Sequence, residues 1–433
     1  MITIISVWEE HSSIKDFPRL RGNRRAEVTV VGGGIAGLLT AHMLHREGID
    51  CILVEAKKIC RGTTAGTTGK ITAGHGAIYD GLISGKGEYA ARLYYEANEA
   101  ACRELARLAR HAPCDYEVKD NYIYSVSDPR VIERELAALE RLGAKAEFRK
   151  TEKLPIDTAG AVCYPKSAQF NPIGFLSKII ERLEIYERSP AVEIEDGYVR
   201  TPDGSVTSER VVIATHFPIV NRYGGYFIKM HQNRSHTVAL EGAADVDGMY
   251  MDADTKGFSF RNYKNMLLIC GGSHRTGAGC GEEAVREFAE RHYGGSRIKY
   301  TFSAQDCITL DGVPYIGEYS SATSETYVIT GFNKWGISGS MAGAMILTDK
   351  ICGRKNLYAD VFRPDRSILQ PRLLSNLGAS LCNLLRPSAK RCTHLGCALR
   401  WNPSEHSWDC PCHGSRYDAD GKVVEAPAIE NLN

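Results

Sequence analysis

The run Val28-Thr29-Val30-Val31-Gly32-Gly33-Gly34-Ile35-Ala36-Gly37-Leu38-Leu39-Thr40-Ala41 constrains this chain more than any other stretch. Apolar and β-branched residues lead straight into Gly-x-Gly-x-x-Gly, and Leu38, Ala41 and Leu44 then share one helical face. The pattern is strand, tight turn, helix. In such a unit Gly32 makes the turn, Gly34 lets backbone N–H groups approach a pyrophosphate, and Gly37 lets helix and strand pack closely. A second apolar strand, Cys51-Ile52-Leu53-Val54, ends in Glu55, where a carboxylate can bind the ribose hydroxyls of an adenine dinucleotide. A dinucleotide site is expected at Gly32, Gly34, Gly37 and Glu55, with an ordinary βαβ turn as the alternative.

A chain of 433 residues has room for two or three domains. Its 53 basic and 52 acidic residues nearly cancel and no run of like charge stands out, so a nucleic-acid or anionic-membrane surface is not expected. No basic segment precedes Glu9 and Glu10, which argues against a signal peptide. The apolar run Gly336 to Leu347 is shorter than the roughly 20 residues that span a bilayer, so no membrane span is read and a cytoplasmic location is expected. Of 14 cysteines, Cys392, Cys397, Cys410 and Cys412 crowd the last tenth of the chain. The scattered ones read as reduced thiols, and the crowded ones, alternating with histidines, read as metal chemistry.

Residues 1–24 lack periodicity and read as an arm on the first domain. The small and hydroxyl residues from Gly62 through Thr63, Thr67, Thr68 and Lys70 to His75 suit close approach of backbone to a flat ligand, or else form a flexible loop. Helices are expected at Tyr89 to His111, from Pro129 to the stop at Gly143, and after Asn171-Pro172. Strands are expected at Tyr116 to Val126, Glu184 to Val192, Tyr198 to Val206, Arg210 to His216 and, frequently, between Phe227 and Tyr300. Leu267 to Gly272 lacks the full glycine triplet and a downstream acid, so a separate NAD site is not expected. A last strand, Tyr327 to Thr330, enters the glycine-rich turn Gly331-Phe332-Asn333-Lys334-Trp335-Gly336 and a helix to Lys350. Its positive dipole end can hold negative charge on a reduced ring system.

The Gly32 motif with Glu55, the strand ending Ala214-Thr215, Ser303-Ala304-Gln305-Asp306, Asp311-Gly312-Val313-Pro314-Tyr315-Ile316-Gly317 and the Gly331 to Ser338 turn together resemble the FAD-dependent oxidoreductases of the D-amino-acid-oxidase type. The resemblance implies an α/β fold: a Rossmann-like FAD domain of the glutathione-reductase type with an inserted β-rich substrate domain. It places the FAD domain at 25–112, 158–220 and 305–362 and the substrate domain at 113–157 and 221–304. It implies FAD held by Gly32, Gly34, Gly37, Glu55, Gly62, Thr63, Thr67, Thr68, Lys70, Val192, Gly331 and Gly336. Lys334 and His75 are candidates for the flavin face. A solvated loop lysine and a hydrogen-bonded structural histidine are the bland readings of those two.

At the C-terminus, Cys392-Thr393-His394-Leu395-Gly396-Cys397 is followed by Cys410-Pro411-Cys412-His413-Gly414-Ser415. Two Cys-His pairs can hold one iron through thiolates and the other through imidazoles, which is Rieske 2Fe-2S ligation, and a mixed Cys/His zinc site is the alternative. The segment resembles the Rieske proteins, which implies Cys392, His394, Cys410 and His413 as ligands and a disulfide between Cys397 and Cys412. The resemblance extends to an all-β cluster-binding module at 388–433, preceded by a helical linker at 363–387. The strands that usually form the base of such a domain have no room here, because Leu369 to Leu385 reads as helix; either the flavoprotein itself is the base, or the cluster loads poorly. Ala426 also stands where a glycine is expected before Pro427.

The expected activity is oxidation of a small substrate, first of all a C–N bond of an amine or amino acid. Electrons would pass singly through the cluster to an electron acceptor, a protein or a quinone-like molecule. The rivals are a non-catalytic redox sensor or interaction protein, and an amine oxidase with a zinc-bound C-terminal scaffold.

Overall fold

The computed structural model describes residues 6–254 and 256–432. Residues 1–5 of the expected arm lie outside these. In the rest of the arm Trp8 is fully buried, and its indole N–H donates to the carbonyl of Thr67 at 2.8 Å.

The first sheet is built on strand Gly22–Val31, which pairs in parallel with Cys51–Val54 on one side and Gly204–Ile213 on the other. Its last four residues are buried, as expected for a strand covered on both faces. Glu184–Tyr186 extends the sheet beyond Cys51–Val54, and Thr323–Thr330 joins in parallel to Gly204–Ile213. A hairpin, Glu193–Glu195 with Tyr198–Thr201, closes the other edge. Sequence periodicity reads one strand from Glu184 to Val192. The chain instead leaves the sheet after Tyr186, because Glu187, Ser189 and Pro190 turn it inward across the end of Val54.

Helix Ile35–Arg46 covers one face, and helix Gly336–Ile351 packs against it with almost every side chain buried. Glu88–Ala109 lies beside them. The helix Pro129–Leu142 is capped by Asp128 accepting from the Arg130 N–H and stops at Gly143 in the left-handed region. Asn171 caps Pro172–Ile179 in the same way.

The second sheet has the order Arg297–Thr309, Met230–Glu241, Met266–Arg275, Ser259–Tyr263, Met249–Asp252, Asn121–Ser125, Gly160–Tyr164, Glu147–Arg149. It cuts across the boundaries read from sequence. Gly160–Tyr164 pairs with Asn121–Ser125, so the substrate sheet continues past 157; Arg297–Thr309 is one strand running through 305. A strand cannot change sheets in mid-run without breaking its ladder, and the composition on either side of these positions is alike.

The C-terminal module is an antiparallel meander of Arg400–Asn402, Ser407–Asp409, Arg416–Asp418 and Val423–Glu425. Helix Pro371–Leu385 precedes it. Among the described residues no helix is long and apolar enough to cross a membrane.

Candidate functional site

A cavity of about 550 Å³ opens where the first strand meets its helix. Gly32, Gly34 and Glu55 line it, with Gly62, Thr63, Thr67, Thr68 and Lys70 from the small-residue loop and Lys334 and Gly336 from the second glycine turn. Stretches far apart in sequence are thus brought to one wall. Glu55 sits with Oε2 accepting from the Gly33 N–H and Oε1 from the Lys57 N–H, each at 2.7 Å. Burial pushes its carboxyl pKa up, against these two bonds.

The glycines divide by role. A Cβ on Gly37 would lie 1.9 Å from the Gly32 carbonyl oxygen, so Gly37 serves helix-strand contact and stays off the cavity wall. A Cβ on Gly34 would meet only Thr64 Oγ1, at 3.3 Å; the room in front of it is open.

Besides Gly37, three expected cofactor or flavin-face residues do not line the cavity. Val192 points outward, and its predecessors Pro190 and Ala191 form that wall instead, because the chain turns inward one residue earlier. Gly331 is set back, with a Cβ position 2.5 Å from Thr309. His75 lies behind the wall, stacked on Trp335 with ring centroids 4.8 Å apart. Its Nδ1 pairs with the Tyr94 hydroxyl at 2.8 Å and its Nε2 with Ser338 Oγ at 2.8 Å. Burial drives its pKa down to about 3, so the ring is neutral and committed to bracing the turn.

Lys70 reaches away from the glycine loop into the second sheet, donating to the Tyr250 carbonyl at 2.7 Å and Ser259 Oγ at 2.6 Å. Burial without a carboxylate partner lowers its pKa to about 7. Lys334 donates to Ser273 Oγ at 2.8 Å and holds φ +77°, a left-handed backbone that follows Asn333 at +51°. Buried Asp306, its carboxyl raised by burial, feels Lys334 as its main opposing cation. His216, with φ +66° and a buried Nε2 that has no partner, also lines the cavity. Nothing in the sequence marks it, since it reads as the tail of a buried strand.

The C-terminal module supplies part of this same cavity: Val423, Val424, Glu425, Ala426, Ala428 and Ile429. Lys57 secures the segment, its Nζ donating to the carbonyls of Val423 and Val424 at 2.9 and 2.8 Å. Arg234, buried in the second sheet, pairs through Nε with Glu405 at 2.6 Å and through Nη1 with Glu425 at 3.3 Å. Arg416 joins both acids and Asp409.

In the two Cys-His loops, Cys392, Cys410 and His413 are buried and His394 is half-buried. The His394 and His413 rings lie 5.0 Å apart at 80°, and both Nδ1 atoms are buried with no hydrogen-bond partner. Such orphaned nitrogens beside grouped thiols fit a metal centre. The sulfurs of Cys397, Cys410 and Cys412 all lie within 4.8 Å of one another. The sulfurs of Cys397 and Cys412, the expected disulfide pair, are not at bonding distance and lie in hydrogen-bonding contact. The Tyr417 hydroxyl is 3.3 Å from Cys392 Sγ, and Ser415 also bonds this thiol.

The segment after Gly204–Ile213 and the second sheet cover the histidine side of these loops. Phe217 and Phe227 flank His413 at 6.1 and 6.2 Å, and His394 Nε2 bonds Asn221 Oδ1 at 2.7 Å. Gln232 Nε2 donates to the His413 carbonyl at 2.6 Å. Gln305 Nε2 donates to the Gly414 carbonyl and to Gln232 Oε1, both at 2.8 Å. Gln305 is also on the cavity wall, and its own carbonyl accepts from Thr63 Oγ1 at 2.7 Å. One glutamine therefore touches both the glycine-loop side and the cluster-loop side.

Residues 27–350 match the family model described as FAD dependent oxidoreductase. The chain belongs to this family. Residues 384–433 of this FAD-dependent oxidoreductase match the Rieske [2Fe-2S] domain. It is 32% identical to YhfW of Bacillus subtilis, a protein whose name places it among Rieske 2Fe-2S iron-sulfur proteins, over 98% of this chain and 96% of that one. Over 41 residues, 10% of this chain and 23% of the other, it is 68% identical to the cytochrome b6-f complex iron-sulfur subunit of Synechococcus elongatus. The fold is also that of glycine oxidase from Geobacillus kaustophilus, with a TM-score of 0.68, 16% identity, and coverage of 80% of this chain and all of the other. The cofactors of the oxidoreductase are FAD and a 2Fe-2S cluster. The open front of Gly34 and the unpartnered histidine nitrogens suit those two groups.

Proposed function

We propose that this oxidoreductase dehydrogenates the C–N bond of a small amine or amino acid and delivers the electrons one at a time through its Rieske module to a separate acceptor. FAD supplies two-electron acceptance from a C–H bond and a 2Fe-2S cluster supplies one-electron carriage, a division that explains why both occupy one chain. The observation that carries the reading is the shared wall: Gln305 lines the flavin cavity and holds the Gly414 carbonyl next to His413.

The residues divide the work accordingly. Ser235, Ser259, Ser273 and Lys334 offer polar groups on the second-sheet side of the cavity, where a small polar substrate would be oriented. Lys334 and the N-terminus of Gly336–Ile351 would stabilise negative charge on the reduced ring. Cys392, His394, Cys410 and His413 would hold the cluster, and Gln232 with Gln305 would keep its loop against the cavity. The similarity to a glycine oxidase fold supports the substrate class.

The test is anaerobic mixing of the holoprotein with a panel of amines and amino acids, following flavin absorbance and the EPR signal of the reduced cluster. Flavin bleaching followed by the cluster signal is expected for at least one compound class. Flavin reduction that never reaches the cluster, or iron replaced by zinc in the metal analysis, would overturn the reading.

A further inference from the structure

Helix Pro371–Leu385 is built inside out. Its buried side chains are Asn376 and Asn383, while Leu374, Leu377, Leu381, Leu384 and Leu385 face solvent. Leu374 and Leu385 are 76% and 74% exposed, and Leu369 just before the helix is 82% exposed. The spacing is that of one continuous stripe on a helix. The polar face packs on the protein: Asn376 Oδ1 accepts from Arg275 at 3.3 Å and Asn383 Oδ1 from Arg400 at 3.4 Å, while the buried Asn376 Nδ2 has no partner. No comparable row of leucines is exposed elsewhere among the described residues.

The charge around the stripe is one-sided. From Arg366 to Ser404 there is no aspartate or glutamate, against Arg366, Arg372, Arg386, Lys390, Arg391 and Arg400. Leucines and small residues space these cations apart, so they form no run in the sequence. Among the described residues Arg372, Arg386, Lys390 and Arg391 form no ion pair. Two copies docking this face about a twofold axis would set cation against cation. An anionic lipid surface complements both the leucines and the charge.

We propose that Pro371–Leu385 is an interfacial helix that lies on an anionic bilayer, leucines in the acyl boundary and Arg386 among the headgroups, while Arg372, on the opposite face, donates to the Thr309 carbonyl at 3.4 Å. Arg391 ties this helix to the cluster loop, donating through Nη1 to the carbonyls of Leu384 at 3.1 Å and Gly396 at 2.8 Å. Lipid binding would hold the loop Cys392 to Cys397 at the membrane surface, within reach of a lipid-soluble acceptor. The sequence reading of no anionic-membrane surface rests on near-zero net charge, which hides a local bias.

The test is flotation of the holoprotein with vesicles of phosphatidylcholine alone or mixed with phosphatidylglycerol, at low and high salt. The proposal expects flotation with the anionic vesicles, weakened by salt. A Leu377→Gln, Leu381→Gln, Leu384→Gln variant should lose it at least tenfold, and an Arg386→Glu variant should float measurably less on the anionic vesicles. Flavin content and cluster spectrum should be unchanged in both, since all four side chains are exposed. Failure to float on anionic vesicles would overturn the proposal. So would equal flotation of the leucine variant, or light scattering that shows a dimer which the leucine variant turns into a monomer.

Discussion

At Gly34 and Gly37 one motif does two jobs that substitution can separate. Gly34→Val should leave a soluble, folded protein without FAD, because its Cβ meets only the Thr64 hydroxyl while its far side faces the cavity. Gly37→Val drives a side chain into the Gly32 carbonyl and should cost stability by about 1–3 kcal/mol or more, read as a lower melting temperature even with excess FAD. Measuring flavin content and melting on both variants checks the division; full flavin content in Gly34→Val would end it. Around Cys392, the Ser415 and Tyr417 hydroxyls bond the thiol and hold its pKa down to about 6, after the larger contribution of Cys410 and against burial. Hydrogen bonds to cluster sulfur favour the more negative, reduced form, and Rieske centres span about −150 to +300 mV. Ser415→Ala with Tyr417→Phe should lower the midpoint by on the order of 100 mV, since each bond to a charged group is worth about 1.5–3 kcal/mol. Redox titration followed by EPR reads the shift. The lone Lys70 ammonium adds a pH signature. With a folded pKa of about 7 against an ordinary 10.5, the unfolded chain holds the extra proton between those values, so stability rises with pH across that window. Lys70→Met should flatten this rise in a melting-temperature profile.

Among the elements, the segment Val423–Ile429 departs most from a reading of the C-terminal module as self-contained. Val424 and Ile429 are exposed apolar side chains that line the FAD cavity, so bound cofactor would cover them. Ile429→Asp should weaken FAD retention at least tenfold by ultrafiltration while leaving the cluster spectrum intact; unchanged retention would remove the segment from the cofactor site. Helices were legible in the chain. The 3.6-residue spacing of Glu88–Ala109, the Asp128-Pro129 start and Gly143 stop, and the Asn171 cap all carry local signals that act within one or two turns. Strand membership was not. Glu184 to Val192 reads as one strand, and only pairing partners far along the chain assign Glu184–Tyr186 and the following Glu193–Glu195 to opposite edges of one sheet.

For the molecule as a whole, docking of the cluster module onto the flavoprotein rests on buried charge. Arg234 from the second sheet holds Glu405 and Glu425, and Arg416 shares both. Burial alone would raise the Glu405 carboxyl; the Arg234 bond overcomes it and holds the pKa at about 2. That stability is present above pH 4.5 and lost as pH falls from there towards 2. Arg234→Met should cost on the order of 3 kcal/mol by leaving the half-buried Glu405 and Glu425 with Arg416 as their shared cation, measured as a lower unfolding midpoint that partly recovers when they are protonated. No recovery in acid would mean that packing, and not charge, holds the module. The sequence by itself determined the chemistry: a glycine triplet followed by an acid, and Cys-His pairs with their neighbours, are short-range patterns whose spacing is dictated by the groups they bind. It also determined that a helix, Pro371–Leu385, precedes the Rieske module. Tertiary structure alone decided that Gln305 joins cavity to cluster loop, that His75 braces Trp335 from behind, and that five leucines of one helix face outward. Each depends on which surfaces meet, and a one-dimensional pattern records the residues of a face without recording what lies opposite it.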